Sequence, residues 1–385
     1  MKRLIILAVW MLLCLQQSFA QEHTAILDDS QKAIYSILIS NTNQTLCSFV
    51  DTAFINTPLS SRYNGYRCHD LGVKIISLEE PFSTSAEMNN AQRNFLSQNK
   101  IAGRLIAKWF HRNPNTGECD LTMFGFTEDT NITNIDSTAY RYINEQLSNT
   151  YVLVNDVRYI EKADAGRVAT NILGALSFFT IGIGVWSRSP VADLLYTLEH
   201  FQVVVTSHLY RLVWNGKIAK DFFETMYTNT PDITKRDNFN AEMANFQLYY
   251  IGHSKSQSEN LSQLESKDMD YHTIVQTACC RAIDNNITNL SQKYDYFGFN
   301  TYLESASPIM AKIGVKEGIT LNSHFEVIDK QTNQSIAVIK PIAIWDNRYN
   351  STENNSVANY LKATIFKQIS GEQILPGMQI RPIQK

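Results

Sequence analysis

From Met310 to the C-terminus the chain changes its grammar, and that change constrains the fold more than any other feature. Short apolar runs recur at roughly eight-to-twelve-residue spacing. They are Ala311–Val315, His324–Asp329, Ser335–Ile339, Ile342–Trp345, Thr364–Ile369 and Met378–Ile380. Turn-forming stretches separate them: Lys316-Glu317-Gly318, Lys330–Gln334, Asn350–Asn355 and Ser370-Gly371. Pro376-Gly377 marks a tight turn just before the last run. Strands this short bury enough apolar surface only by closing on one another. The expectation is a small β-barrel module of SH3-like type over residues 305–385, opening after Ser307-Pro308. Its expected core is Ile313, Val315, Phe325, Val327, Val338, Ile344, Ile365 and Ile380.

Upstream the rhythm is longer and mixed. Alternation in Ile34-Tyr35-Ser36-Ile37-Leu38-Ile39 suits a strand. Ser48–Gly65 reads as loop with short extended pieces, and Leu71–Leu78 as a strand. Ser83–Phe110 reads as one helix, with Leu96, Ile101, Leu105, Ile106 and Phe110 forming a buried stripe. Asn113–Gly117 is a turn and Cys119–Phe126 a strand. Thr130–Ser148 is helical, and Tyr151–Ile160 is a β-branched run suited to a buried strand. This order predicts an α+β layered domain over residues 21–165.

Residues 166–304 form a middle α+β region. Val168–Ser187 carries no charge and lies between Arg167 and Arg188. Its length just reaches a membrane span, but Asn171, Ser177, Thr180 and its glycines dilute it. A buried helix or a covered hairpin is the favoured reading, with an oligomer contact as a further one. Phe201–Trp214 is a long strand ended by Asn215-Gly216, Ile218–Tyr227 a helix and Phe246–Gly252 a strand. Ser254–Asp268 reads as a polar loop and Tyr271–Tyr294 as a helix.

The first 20 residues point to export. Lys2 and Arg3 precede the apolar run Leu4–Leu15, and Ser18-Phe19-Ala20 ends in a small residue suited to cleavage. A mature chain beginning at Gln21 would have 365 of the 385 residues. Cys14 follows Leu13 rather than a small residue, which argues against a lipid-attachment site. Five cysteines remain: Cys47, Cys68, Cys119, Cys279 and Cys280. Cys47 and Cys68 could pair in an oxidising compartment, and the odd count leaves at least one thiol over. The formal net charge of −3 supplies no basic field for a phosphate backbone, which excludes nucleic acid as an expected partner.

Catalytic signatures are sparse. Cys68-His69-Asp70 has the residue types of a nucleophile, base and orienting carboxylate. Neighbours in an extended chain point to opposite faces, so the triplet cannot act alone. The sequence holds no His-Glu-x-x-His, Cys-x-x-Cys or phosphate-binding glycine loop, so no catalytic, metal or cofactor residue is assigned. Trp345-Asp346-Asn347-Arg348-Tyr349 is the most singular string. Trp345, Arg348 and Tyr349 are residue types of binding hot spots and form the candidate binding set. The competing reading makes Trp345 a barrel cap and Asp346-Asn347 a turn. Arg104, Lys108, Trp109, His111 and Arg112 make a basic, aromatic helix end that suits the helix dipole.

Several strings carry a family resemblance. They are Ile313–Gly318, Phe325-Glu326-Val327, Ile339-Lys340-Pro341, Ile344–Tyr349 and Pro376–Arg381, with Ala107–Phe110, Thr150–Asp156 and Leu209–Asn215 upstream. Together they resemble a group of uncharacterised secreted proteins of Bacteroides-type (Bacteroidota) bacteria. The C-terminal module is more loosely similar to the β module of flagellar outer-membrane-ring accessory proteins. The first domain resembles periplasmic curli-channel-type α/β domains in arrangement alone. The resemblance implies an exported protein of the periplasm, outer membrane or cell surface of a Gram-negative bacterium.

The expectation is therefore a non-enzymatic binding or assembly component, with another envelope protein or polymer as partner and oligomers open. The alternatives are a secreted hydrolase with a dispersed site, which a cleft holding Cys68, His69 or Asp70 beside a second ionisable side chain would favour, or a membrane-associated pore or anchor subunit using residues 168–187.

Overall fold

The computed structural model describes residues 32–40, 47–56, 64–67, 75–77, 85–126, 137–161, 201–258, 271–294, 296–298, 301–329, 332–348, 351 and 356–383. The fold is α+β, built on two sheets. The first sheet takes β1 (Ala33–Ser40), β2 (Asn64–Arg67), β3 (Ile75–Ser77), β4 (Thr150–Glu161), β5 (Phe201–Leu212) and β6 (Leu248–Gln257). Its order is β2-β1-β4-β5-β6, with β3 also on β1. β1 runs parallel to β2, β3 and β4, whereas β4, β5 and β6 form an antiparallel meander.

The central strands β1, β4 and β5 are largely covered on both faces and carry long apolar runs, whereas β6 is a half-exposed edge. Tyr151–Val154 and Val203–Val205 are buried on both sides of their strands. The helices are α1 (Cys47–Asn56), α2 (Ser85–Gln98), α3 (Ile101–Trp109), α4 (Thr138–Ser148), α5 (Gly216–Thr225), α6 (Ile233–Glu242) and α7 (Tyr271–Lys293). α7 packs with α1 and lies against β5 and β6. On the opposite face, Tyr210 of β5 donates to Gln92 of α2 (3.0 Å) and Trp109 of α3 donates to Thr150 of β4 (2.9 Å). One hydrophobic cluster runs from Ala33 to Phe297, across the boundary expected at 165/166. At one end the Phe110 ring packs, tilted or edge on, among those of Phe124, Phe222, Phe223 and Tyr227.

The second sheet takes β7 (Thr301–Tyr302), β8 (Ser305–Ala306), β9 (Ile309–Ala311), β10 (Phe325–Ile328), β11 (Ser335–Ala343), β12 (Thr364–Gly371) and β13 (Gln379–Pro382). A short helix, α8 (Val357–Leu361), precedes β12. The sheet is antiparallel and curled into a half-barrel, ordered β7-β13-β10-β11-β12-β9-β8. Residues 301–306 run along both of its ends, pairing with β13 through β7 and with β9 through β8. Its core is separate and small, with Phe325 and Phe366 edge to face at its centre.

Several local expectations change. The helix read as continuous from Ser83 to Phe110 breaks at Asn99-Lys100, where Lys100 takes a left-handed conformation (φ 52°) and the Asn99 side chain caps the Phe95 carbonyl. Cys119–Phe126 is loop plus a 3-10 turn at Thr122–Phe124, not a strand. The Asp120 carboxylate binds the Thr122 amide at 2.9 Å and offers the backbone a turn instead of a ladder. Part of the expected loop Ser48–Gly65 is α1, whose Val50 and Phe54 are buried. Asn215-Gly216 begins α5 rather than making a turn, because Asn215 accepts from the amides of Lys217 and Ile218. The run Ser335–Ile339 and the start of Ile342–Trp345 join as β11, which ends at Ala343 and passes Pro341 with a shift of register. Ala337, Ile339 and Phe366 point inward, so Val338 and Ile365 lie off the buried face where they were expected. Ala311–Val315 gives only the end of β9 before a 3-10 turn at Val315–Glu317.

Residues 1–20, Cys68-His69-Asp70 and Val168–Ser187 lie outside the described residues, as does Tyr349. Among the described residues, no helix is long and apolar enough to cross a membrane.

Candidate functional site

Trp345, Arg348 and their neighbours form a corner where β11 leaves the barrel. The Trp345 carbonyl accepts from the Val315 amide (3.0 Å), and the Trp345 amide donates to the Thr364 hydroxyl (3.2 Å). The Thr364 hydroxyl in turn donates to the Ile313 carbonyl. Asn347 accepts from the Lys316 amide at 2.8 Å and donates to Glu317 at 2.7 Å. Glu317 also accepts from the Gly314 amide at 2.6 Å. A Cβ at position 314 would stand 2.1 Å from the Trp345 carbonyl oxygen, so this close approach requires glycine.

Arg348 does not project freely into solvent. Its guanidinium grips Asp346 through Nε (2.8 Å) and Nη2 (2.7 Å), a bidentate fork on one carboxylate. Asp346 is buried. Burial alone would raise its pKa, but the hydrogen bonds and charge of Arg348 override it and hold the carboxyl down at about 2. The Asp346 amide donates to the Asn359 side chain at 2.7 Å, which ties the corner to α8. Trp345 is half-buried. The structure thus brings Trp345 and Arg348 together, and it gives the Arg348 charge a holding role in the corner.

Sequence reasoning passed over α8. The Ser356 hydroxyl caps it by accepting from the Asn359 amide at 3.1 Å. Val357 is 64% and Tyr360 85% exposed on its outer side. The signal was present in Ser356-Val357-Ala358-Asn359, but five helical residues are too few for periodicity to register.

The same corner touches the first sheet's helix layer. Lys316 reaches Asp284 of α7 at 2.9 Å, and both side chains are largely buried. Thr288 of α7 donates to the Lys316 carbonyl at 2.7 Å. Burial pushes the Asp284 carboxyl up to about 6, and the Lys316 charge opposes that rise.

A second polar constellation, also missed, lies between α2 and the sheet. His208 on β5 faces His253 on β6 with ring centroids 5.6 Å apart. The Tyr250 hydroxyl and His253 Nδ1 are 3.2 Å apart. Burial first, and the His253 charge second, push His208 down to about 4, while Asp156 pulls the other way. His208 is therefore a neutral imidazole at ordinary pH. Asp156 is engaged by Arg158 at 2.9 Å. No described cysteine stands beside these groups, and Cys119, Cys279 and Cys280 are free and buried. Burial raises the Cys119 and Cys279 thiols, which opposes the thiolate form a nucleophile needs. Among the described residues, no three His, Cys, Asp or Glu side chains gather closely enough to hold a metal ion.

Opposite, on the α7 face, runs a chain of buried amides and hydroxyls. Asn155 donates to Ser36 (2.9 Å), Ser207 to Asn155 (2.7 Å), and Asn286 of α7 to Ser207 (2.9 Å). A polar path through an apolar layer fixes the register of β1, β4, β5 and α7 together. The helix end expected to serve the dipole instead braces neighbours. Arg112 donates to the carbonyls of Met226 (2.9 Å) and Lys235 (3.0 Å) and lies 4.4 Å over the Phe239 ring.

No protein-family model matches this chain, and no curated protein matches it in sequence.

Proposed function

We propose that this chain is an exported cell-envelope protein of a Gram-negative bacterium that acts by binding, as an assembly component. One observation carries the reading. Most of the large apolar side chains exposed among the described residues belong to the small C-terminal module: Leu321, Ile342, Val357, Tyr360, Leu361, Ile369, Leu375 and Ile383. A module with so small a core gains nothing for its own stability by exposing them, and Val357, Tyr360 and Leu361 gather on one side of α8, the kind of clustering that marks partner contact. The corner supports the same reading. The Asp346 amide, donating to Asn359, ties α8 to the chain that carries Trp345, so Val357 and Tyr360 stand on a fixed base. Trp345 and Arg348 stand at the edge of this surface, and an envelope protein is its partner. The signal-like start at Met1–Ala20 and the resemblance to secreted Bacteroidota proteins supply the compartment.

The test is site-specific photocrosslinking from position 357 in the native envelope. A discrete adduct should form when Tyr360 is kept, and Tyr360→Ser in the same chain should weaken it several-fold. Terminal mass analysis of the same material should find a chain beginning at Gln21. The absence of an adduct, or one insensitive to Tyr360→Ser, overturns the binding reading. A chain retaining residues 1–20 overturns the export reading.

A further inference from the structure

Where β5 ends, the first sheet presents cations and tyrosines, and among the described residues no acidic side chain pairs with these cations. Arg211 sits directly across from Tyr249 on β6 and from Tyr151 on β4. Its guanidinium carbon lies 6.0 Å from the Tyr151 ring centroid and 5.9 Å from that of Tyr296. Tyr294 and Tyr296, just past α7, are 5.8 Å apart with rings 37° from parallel. Lys293 lies 5.3 Å over the Tyr294 ring. Lys32, at the start of β1, shares this corner. Burial first, and the Arg211 charge second, bring its ammonium down to about 8.

The hydrogen bonding is incomplete. Arg211 uses only Nε, donating to the Ser148 carbonyl at 2.6 Å. Among the described residues its two terminal nitrogens have no acceptor, and neither Lys32 nor Lys293 has an acidic partner. Asp295 lies outside the described residues. Two neighbouring cations in a partly desolvated corner repel each other, and an anion between them removes that cost. The free fork of Arg211 matches a carboxylate in shape.

The tyrosines narrow the ligand. Tyr249 is 66% and Tyr296 46% exposed. A protein hot spot sets its aromatics in a dry, enclosed pocket. An open row of amphipathic rings suits a ligand that offers C–H faces and hydroxyls in alternation. We infer that the surface of Arg211, Lys32, Tyr249, Tyr294 and Tyr296 binds an acidic polysaccharide, with the carboxylate on the cations and the sugar faces on the tyrosines. This surface lies on the first sheet and is distinct from the α8 surface, so either reading can fail alone.

The experiment is affinity electrophoresis of the full chain in gels containing polygalacturonate, dextran or poly-L-glutamate. Polygalacturonate should retard the wild-type chain, and dextran should not. Arg211→Gln should weaken the retardation about tenfold through loss of a charge-assisted contact. Tyr249→Ala should weaken it about fivefold through loss of a stacking face. Arg211 also braces Ser148, so the fold of each variant is checked by its thermal melt; Tyr249, being exposed, keeps the test alive if Arg211→Gln unfolds. Equal mobility in polygalacturonate and dextran overturns the proposal. So does full retention by Tyr249→Ala, and so does poly-L-glutamate binding as tightly as the glycan, which would make an acidic peptide the ligand.

Discussion

The two sheets of this molecule are held by different means. Among the described residues, the largest fully buried side chains, including Trp109, Tyr35, Tyr151, Tyr210, Phe110 and Phe222, all belong to the first sheet and its helices. The C-terminal half-barrel has a short apolar cluster with two phenylalanines, and it adds a corner of hydrogen bonds around Gly314, Glu317, Asp346 and Asn347. The contrast follows from size. A small domain buries a smaller fraction of its surface, so directional polar contacts carry more of its definition.

The largest effect should come from the aromatic end of the first sheet. Phe110 is fully buried, with its ring 4.7 Å from that of Phe222 and 5.3 Å from that of Phe124. Phe110→Ala should cost about 3–5 kcal/mol in urea unfolding. A loss under about 1 kcal/mol would mean that this region does not rest on packing. The corner of the half-barrel should respond next. Gly314→Ala drives a methyl against the Trp345 carbonyl and Asn347 and should cost about 2–3 kcal/mol, an overpacking penalty. If Gly314→Ala unfolds with wild-type stability, the corner is not a rigid element and the contrast between the modules fails.

The smallest effect is a pH response in which two groups oppose each other. His208 is pushed down to about 4 from 6.5. As pH falls from 6.5 to 4, the unfolded chain takes up a proton that the folded one refuses, and stability drops by up to about 3 kcal/mol. Asp284 is pushed up to about 6 from 3.8. Between pH 6 and 4 the folded chain takes up its proton first, so stability rises on acidification by up to about 3 kcal/mol. Together they leave a net change of about 1 kcal/mol or less. His208→Gln should make acidification stabilising over that window, and Asp284→Asn should steepen the loss. Parallel urea midpoints for wild type and both variants at pH 7, 5.5 and 4.5 would contradict this account.

Legibility in the sequence followed the same division. The long strands β4 and β5 and the helix α7 were plain, because runs such as Val203-Val204-Val205 and the spaced Ile274, Ala278 and Ile283 bury themselves whatever surrounds them. That β5 and β6 complete the sheet begun by β1 was not legible, since nothing local records which strands become neighbours. In the half-barrel the strand rhythm was visible but its phase was not. The passage of β11 through Pro341 shifts the pairing, and a shift of one residue exchanges the inner and outer faces. At the corner, Trp345 and Arg348 stood out by residue type. The partner of Arg348 was two residues away at Asp346, and the exposed ring of Tyr360 gave no pattern at all.

The segment 301–306 has a consequence for the order in which the chain assembles. Its pairing with β9 is a local hairpin, in which Ser305 meets Met310. Its pairing with β13 joins Thr301 to Ile380, the far end of the module. Local contacts cost little chain entropy and form early, whereas distant ones wait for the intervening residues to settle. The seam between β7 and β13 is therefore the last stitch of the half-barrel. Until it closes, β13 offers a bare rim to any passing strand, and the module is at its most vulnerable to the wrong neighbour.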